Sequence, residues 1–72
     1  MESEKDNLIE GLLGQINRVK EMITEYKSLP KNAGTFAATM MQIDIDEAEK
    51  AISTGDTVQM ISSFKSLNKY ES

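Results

Sequence analysis

The sequence predicts an all-α fold: a three-helix protomer with a long first helix, a second helix and a shorter third helix, assembling into a helical homo-oligomer. Three observations carry this expectation. Apolar residues recur in steps of three and four along three separate stretches, Pro30 and the Gly55-Asp56 pair divide those stretches, and no segment alternates at the period of a strand. A chain of 72 residues makes one domain, expected to comprise a polar N-terminal tail at 1–6 and helices at 7–28, 33–53 and 57–69.

The first helix opens on Asn7 with Glu10 three residues later, the pattern of a capping box. Ile9, Leu12, Ile16, Val19, Ile23 and Tyr26 then form one stripe, which Leu8 and Leu13 widen near its start. Gly11 and Gly14 each weaken a helix by about 1 kcal/mol relative to Ala, which points to close backbone approach or to fraying. Pro30 ends the segment at "KSLP".

The second helix begins between Asn32 and Thr35, with Phe36, Met40, Ile43 and Ala51 on one side and Ala37, Met41, Ala48 and Ile52 on another. In "STGDTVQ", Gly55 supplies a left-handed cap, and Asp56 caps the next helix with Gln59 in the reciprocal position. The third helix carries Met60, Ile61, Phe64 and Leu67 at helical spacing. A core this thin gains from oligomerisation, since a chain without Cys has no disulfide to stiffen it. The wide apolar faces and the adjacent Met40 and Met41 point the same way.

Composition excludes several functions. Apolar residues make up 39% of the chain and charged residues 28%, the balance of a globular protein. A formal net charge of −4 argues against duplex nucleic acid and against anionic membrane, and no apolar run reaches the length of a span. "MESEKDN" is acidic and unlike a secretory signal, so an intracellular protein is expected. Without His or Cys, acid-base and covalent chemistry lack their usual groups, and no enzyme and no cofactor are expected. Asp44, Asp46 and Glu47 read as a solvated helix face rather than a metal site, because no Gly turn accompanies them.

Charge placement is more informative than net charge. No acid lies between Glu25 and Asp44, where Lys27 and Lys31 occur, nor between Asp56 and Glu71, where Lys65 and Lys69 occur. The first of these segments holds the start of the second helix, whose unsatisfied N–H groups and dipole favour an anion. Gly34 would admit a phosphate to the backbone, Thr35 and Thr39 would add hydroxyl donors, and Tyr26, Phe36 and Tyr70 would offer rings for a base to stack on. The plainer alternative is that Ala33, Gly34, Ala37 and Ala38 are small residues at a tight crossing, Phe36 is core and the lysines are solvated. Arg18, the single arginine, is expected to pair with Glu21 one turn on.

From Tyr26 onward, about two thirds of the chain, the sequence resembles a family of small bacteriophage proteins. The shared features are "EYKSL" before the break, a Gly-x-Phe in "GTFAATM", then "DIDEAEKAISTGD" and "VQMISSFKSL", with Met60, Phe64 and Leu67 at the family's Met, aromatic and Leu positions. "AEKAISTGD" is similar to that family's Ala-Glu-x-Ala-Ile-x-Ser-Gly-Asp run. The family is that of the phage anti-CBASS sponges, viral proteins of immune evasion that bind host cyclic dinucleotides such as 3'3'-cGAMP without cleaving them. The resemblance implies a homotetramer with shared ligand pockets, at work in the cytoplasm of the infected bacterial host. Thr54 stands where the family often has Ser, and Pro30 to Ala33 replace a more glycine-rich break.

The ligand-contact candidates come from charge placement and helix-start chemistry and not from the resemblance: Tyr26, Lys27, Lys31, Gly34, Thr35, Phe36 and Thr39, with Lys65 and Lys69 further off. The competing expectation is a helical protein-protein interaction module that inhibits a host protein through an exposed apolar face.

Overall fold

The computed structural model describes residues 2–70 as three helices: α1 (Glu2–Lys27), α2 (Thr35–Thr54) and α3 (Thr57–Asn68), with one 3-10 turn (Pro30–Asn32) between α1 and α2. No strand occurs among the described residues. The helices pack pairwise around one core, in a body 47 Å long and 17 by 16 Å across. Among the described residues no helix is long and apolar enough to cross a membrane.

α1 begins five residues before the expected start at Asn7 and takes in most of the segment expected as a polar tail. Nothing in residues 2–6 stops a helix, for they contain neither Gly nor Pro, and a capping residue permits a start without enforcing one. α2 starts two residues later than expected, because Lys31 and Asn32 both take left-handed backbone angles (φ 58° and 60°) and turn the chain. Such angles cost a non-glycine residue roughly 1 kcal/mol, less for Asn than for Lys.

The α2–α3 corner follows its sequence signal closely. Gly55 takes φ 72°, its N–H donates to the Ile52 carbonyl, and Asp56 N–H donates to the Ala51 carbonyl at 3.0 Å, which completes a Schellman stop. Asp56 then caps α3 by accepting from Gln59 N–H at 3.1 Å. The reciprocal half of the box does not form, because the Gln59 amide instead donates to the buried Ser63 hydroxyl at 3.1 Å.

The core comprises Leu12, Ile16, Val19, Met22 and Ile23 of α1, Ala38, Met41, Ile45, Ala48 and Ala51 of α2, and Met60 and Leu67 of α3. On α1 this takes Leu12, Ile16, Val19 and Ile23 from the predicted stripe, whose Ile9 and Tyr26 are partly buried, and adds Met22; on α2 only one apolar side is used. Of the two apolar sides expected there, that of Ala37, Met41, Ala48 and Ile52 lies against the core, joined by the fully buried Ile45, whereas Phe36, Met40 and Ile43 of the other are exposed by 78%, 41% and 46% and only its Ala51 is buried. Leu13 and Ile61 also lie out, although α1 packs against both α2 and α3.

Arg18 does not pair with Glu21. Its guanidinium reaches across to α3 and donates to the Leu67 carbonyl at 2.9 Å, with Gln15 Oε1 held at 2.9 Å by the same nitrogen. A cation there satisfies a C-terminal carbonyl and complements the negative end of the α3 dipole. The same end of α3 is tied down by Tyr70, whose hydroxyl donates to Asp44 Oδ2 at 2.5 Å.

Burial, the hydrogen bond to Asp44 and that carboxylate's charge push the Tyr70 hydroxyl up to about 12 from its ordinary 10. The folded state therefore holds this proton more tightly than the unfolded chain. Tyr70 contributes stability that is complete below pH 10 and is lost as pH rises toward 12. Chemical denaturation across that window should show wild type losing more stability than Tyr70→Phe, since the lysine titrations are common to both. Equal slopes would mean that the bond contributes nothing.

Candidate functional site

Lys27, Thr35 and Thr39, three of the nine ligand candidates, line one open cavity of about 240 Å³ where the end of α1 meets the start of α2. Ala38, Gln42 and Ile43 complete its wall. The helices place these groups by simple geometry. Lys27 is the last residue of α1, and Thr35, Thr39 and Gln42 recur at four and three residues along one face of α2. Gln42 shares that spacing but carries neither the charge nor the hydroxyl that marks an anion contact in sequence.

The start of α2 is left open by its own sequence. Its N-cap is Gly34, no side chain accepts from its first N–H groups, and its first turn carries no acid. At the start of α3, by contrast, Asp56 fills the equivalent position with a carboxylate. An uncapped helix start with a lysine beside it suits an anion. Thr39 donates its hydroxyl to the Thr35 carbonyl at 2.9 Å and retains its lone pairs, while the Thr35 hydroxyl has no partner among the described residues.

Gly34 has a different role from the one expected. It is buried at φ −101°, and a Cβ there would collide with the Tyr26 carbonyl oxygen and lie 2.9 Å from the Tyr26 Cβ. The space that this glycine opens is filled by the chain itself, so a phosphate cannot use it. The tight-crossing alternative holds for Gly34. Tyr26 is half-buried against the core and does not line the cavity.

The remaining candidates lie apart. Lys31 is exposed in the left-handed turn, and Phe36 is exposed on the outer side of α2 and outside the core that the plainer alternative assigned it. Lys65 and Lys69 are exposed on and just after α3 and do not line the cavity. Among the described residues no group of three or more His, Cys, Asp or Glu converges to hold a metal ion.

A second cavity, of about 320 Å³, lies at the α2–α3 corner and was not foreseen. Its wall carries Glu47, Asp56 and one lysine, Lys50, so its charge is unsuited to a dianion.

The fold and cavity define a class, a three-helix protein with a mostly apolar hollow at an uncapped helix start, edged by one lysine and two threonines. No family model, no curated protein and no solved structure matches the chain.

Proposed function

We propose that this protein is a phage immune-evasion protein that sequesters host cyclic dinucleotide signals such as 3'3'-cGAMP without cleaving them, and so blocks CBASS signalling. The observation that carries the reading is the convergence of Lys27, Thr35 and Thr39 on one cavity beside an uncapped helix start. Lysine and backbone N–H groups suit the phosphate, and the Thr35 hydroxyl adds a donor, while that of Thr39 is already given to the Thr35 carbonyl.

Size supports a shared pocket. Small-molecule sites usually enclose roughly 300–1,000 Å³, and one open hollow of about 240 Å³ falls below that range. A cyclic dinucleotide has two phosphates and two bases, so two hollows brought together in a homotetramer would hold one ligand between them. The resemblance from Tyr26 onward supports the same reading and the host cytoplasm as its place of action.

Native mass spectrometry with a panel of cyclic dinucleotides tests this proposal. Expected are a tetramer, whole units of bound ligand, and intact nucleotide on denaturation. The combined Lys27→Ala, Thr35→Val and Thr39→Val variant should remain folded and bind at least about 100-fold more weakly, since one charge-assisted contact alone is worth about 1.5–3 kcal/mol. Unchanged affinity in that variant would remove the site. A monomer that takes up no nucleotide would instead favour capture of a host protein through the exposed apolar face.

A further inference from the structure

α2 is apolar on two sides, and only one of them is used within the protomer. Ala38, Met41, Ile45, Ala48 and Ala51 face the core. Phe36, Met40 and Ile43 follow at intervals of four and three, so they form a second stripe two turns long on the opposite part of the helix, and all three are exposed. Glu47 takes the next position along this stripe and ends its apolar character.

The charges around the stripe are divided between its two ends. Before it lie Lys27 and Lys31 with no acid from Tyr26 to Ile43; after it come Asp44, Asp46, Glu47 and Glu49 with no base until Lys50. Three of these acids are engaged within the protomer: Asp44 by Tyr70, Asp46 by Gln42 and Glu49 by Lys20 at 3.2 Å. Among the described residues Glu47 has no hydrogen-bond or ion-pair partner, and neither has the Lys31 side chain.

We infer that this stripe is the seam of a homodimer, in which two copies of α2 run antiparallel about a two-fold axis at Met40. An isologous interface requires one patch that complements itself, and this patch does so in one direction only. Antiparallel pairing sets the basic end of each helix against the acidic end of the other, while parallel pairing sets like against like. Met40 lies midway between Phe36 and Ile43–Asp44, so it meets its own copy on the axis. Glu47 lies seven residues beyond Met40, about 10 Å along the helix, and comes opposite the turn that carries Lys31. An apolar centre with a charged rim is the usual build of such an interface.

This inference rests on the oligomeric part of the function proposed above and not on its ligand. It also gives Lys31 and Phe36 another role. Lys31 pairs with Glu47 of the partner subunit and Phe36 packs in the seam, leaving Lys27 as the cation of the cavity.

The chain has no Cys, so an introduced one is the only thiol. Under mild oxidation Met40→Cys should give a disulfide-linked dimer at least about tenfold faster than Val58→Cys, although Val58 is the more open to solvent (79% against 41% exposed), because Val58 lies on α3 away from the stripe. In sedimentation, Glu47→Lys should weaken dimerisation about tenfold, and adding Lys31→Glu should restore it to within about threefold of wild type. An oligomer in which Met40→Cys links no faster than Val58→Cys, or in which the double swap rescues nothing, overturns the seam and leaves the oligomeric reading standing. A chain that is monomeric at every concentration overturns both. A linked dimer that binds no nucleotide supports the seam and removes only the ligand.

Discussion

Gly34→Ala is expected to destabilise the fold by about 2–3 kcal/mol, a large share of the roughly 4–11 kcal/mol available to a domain of 72 residues. The added Cβ meets the backbone carbonyl of Tyr26, an atom fixed by the last turn of α1 and unable to rotate aside. Relief requires the start of α2 to move away from the end of α1, which loosens Ile23 and Ala38 beneath the crossing. Urea denaturation followed by circular dichroism would read the effect as a lower midpoint at unchanged slope. Gly14→Ala provides the control of opposite sign. A Cβ at Gly14 meets nothing within 4 Å, and replacing an exposed mid-helix glycine should stabilise by about 0.8 kcal/mol. A Gly34→Ala variant as stable as wild type would show that the crossing is not tight.

Ile45→Ala should cost about 3–4 kcal/mol, whereas Ile43→Ala should change the stability of the monomer by less than about 0.5 kcal/mol. The two residues stand in one run, "QIDIDEAE", on either side of Asp44, and composition gives no reason to separate them. Ile45 has no exposed surface and sits among core residues of three helices, so truncation leaves a cavity as well as losing transfer energy. Ile43 is nearly half exposed and lies outside the buried core, so its truncation leaves no enclosed cavity. Measuring both variants at a concentration where the chain is monomeric keeps any seam contribution of Ile43 out of the comparison. Similar losses for both would place α2 in a different rotation about its axis.

The helices and their stops were legible because the signals are local. The Gly55-Asp56 corner depends on residues within five positions of one another, and its Schellman stop and Asp56 cap formed as the residue types require. The α1 stripe was equally legible, since a long helix with one dominant apolar face has only one way to turn it inward. Local signals failed where the chain had a choice. Asn7 could cap a helix, but nothing before it prevented one, so α1 continued to Glu2.

The candidate site was legible in part for the same reason. Lys27, Thr35 and Thr39 came together because a helix end, a break and a helix start are neighbours in sequence and in space. Lys65 and Lys69 had the same acid-free surroundings in sequence, yet nothing local could show that α3 would carry them clear of the cavity. Gly34 looked like room for a phosphate because sequence reports the absence of a side chain and not what occupies its place.

The sequence by itself determined three helices, every boundary but the start of α1 to within two residues, the corner between α2 and α3 and most of the inward face of α1, because each depends on backbone hydrogen bonding and periodicity inside one segment. Tertiary structure alone decided that Ile45 rather than Ile43 faces the core, that Arg18 reaches the Leu67 carbonyl rather than Glu21, and that Tyr70 meets Asp44. A helix with apolar residues on two sides satisfies the helical period in more than one rotation. The choice between rotations is made by the volume and polar groups that the other helices present.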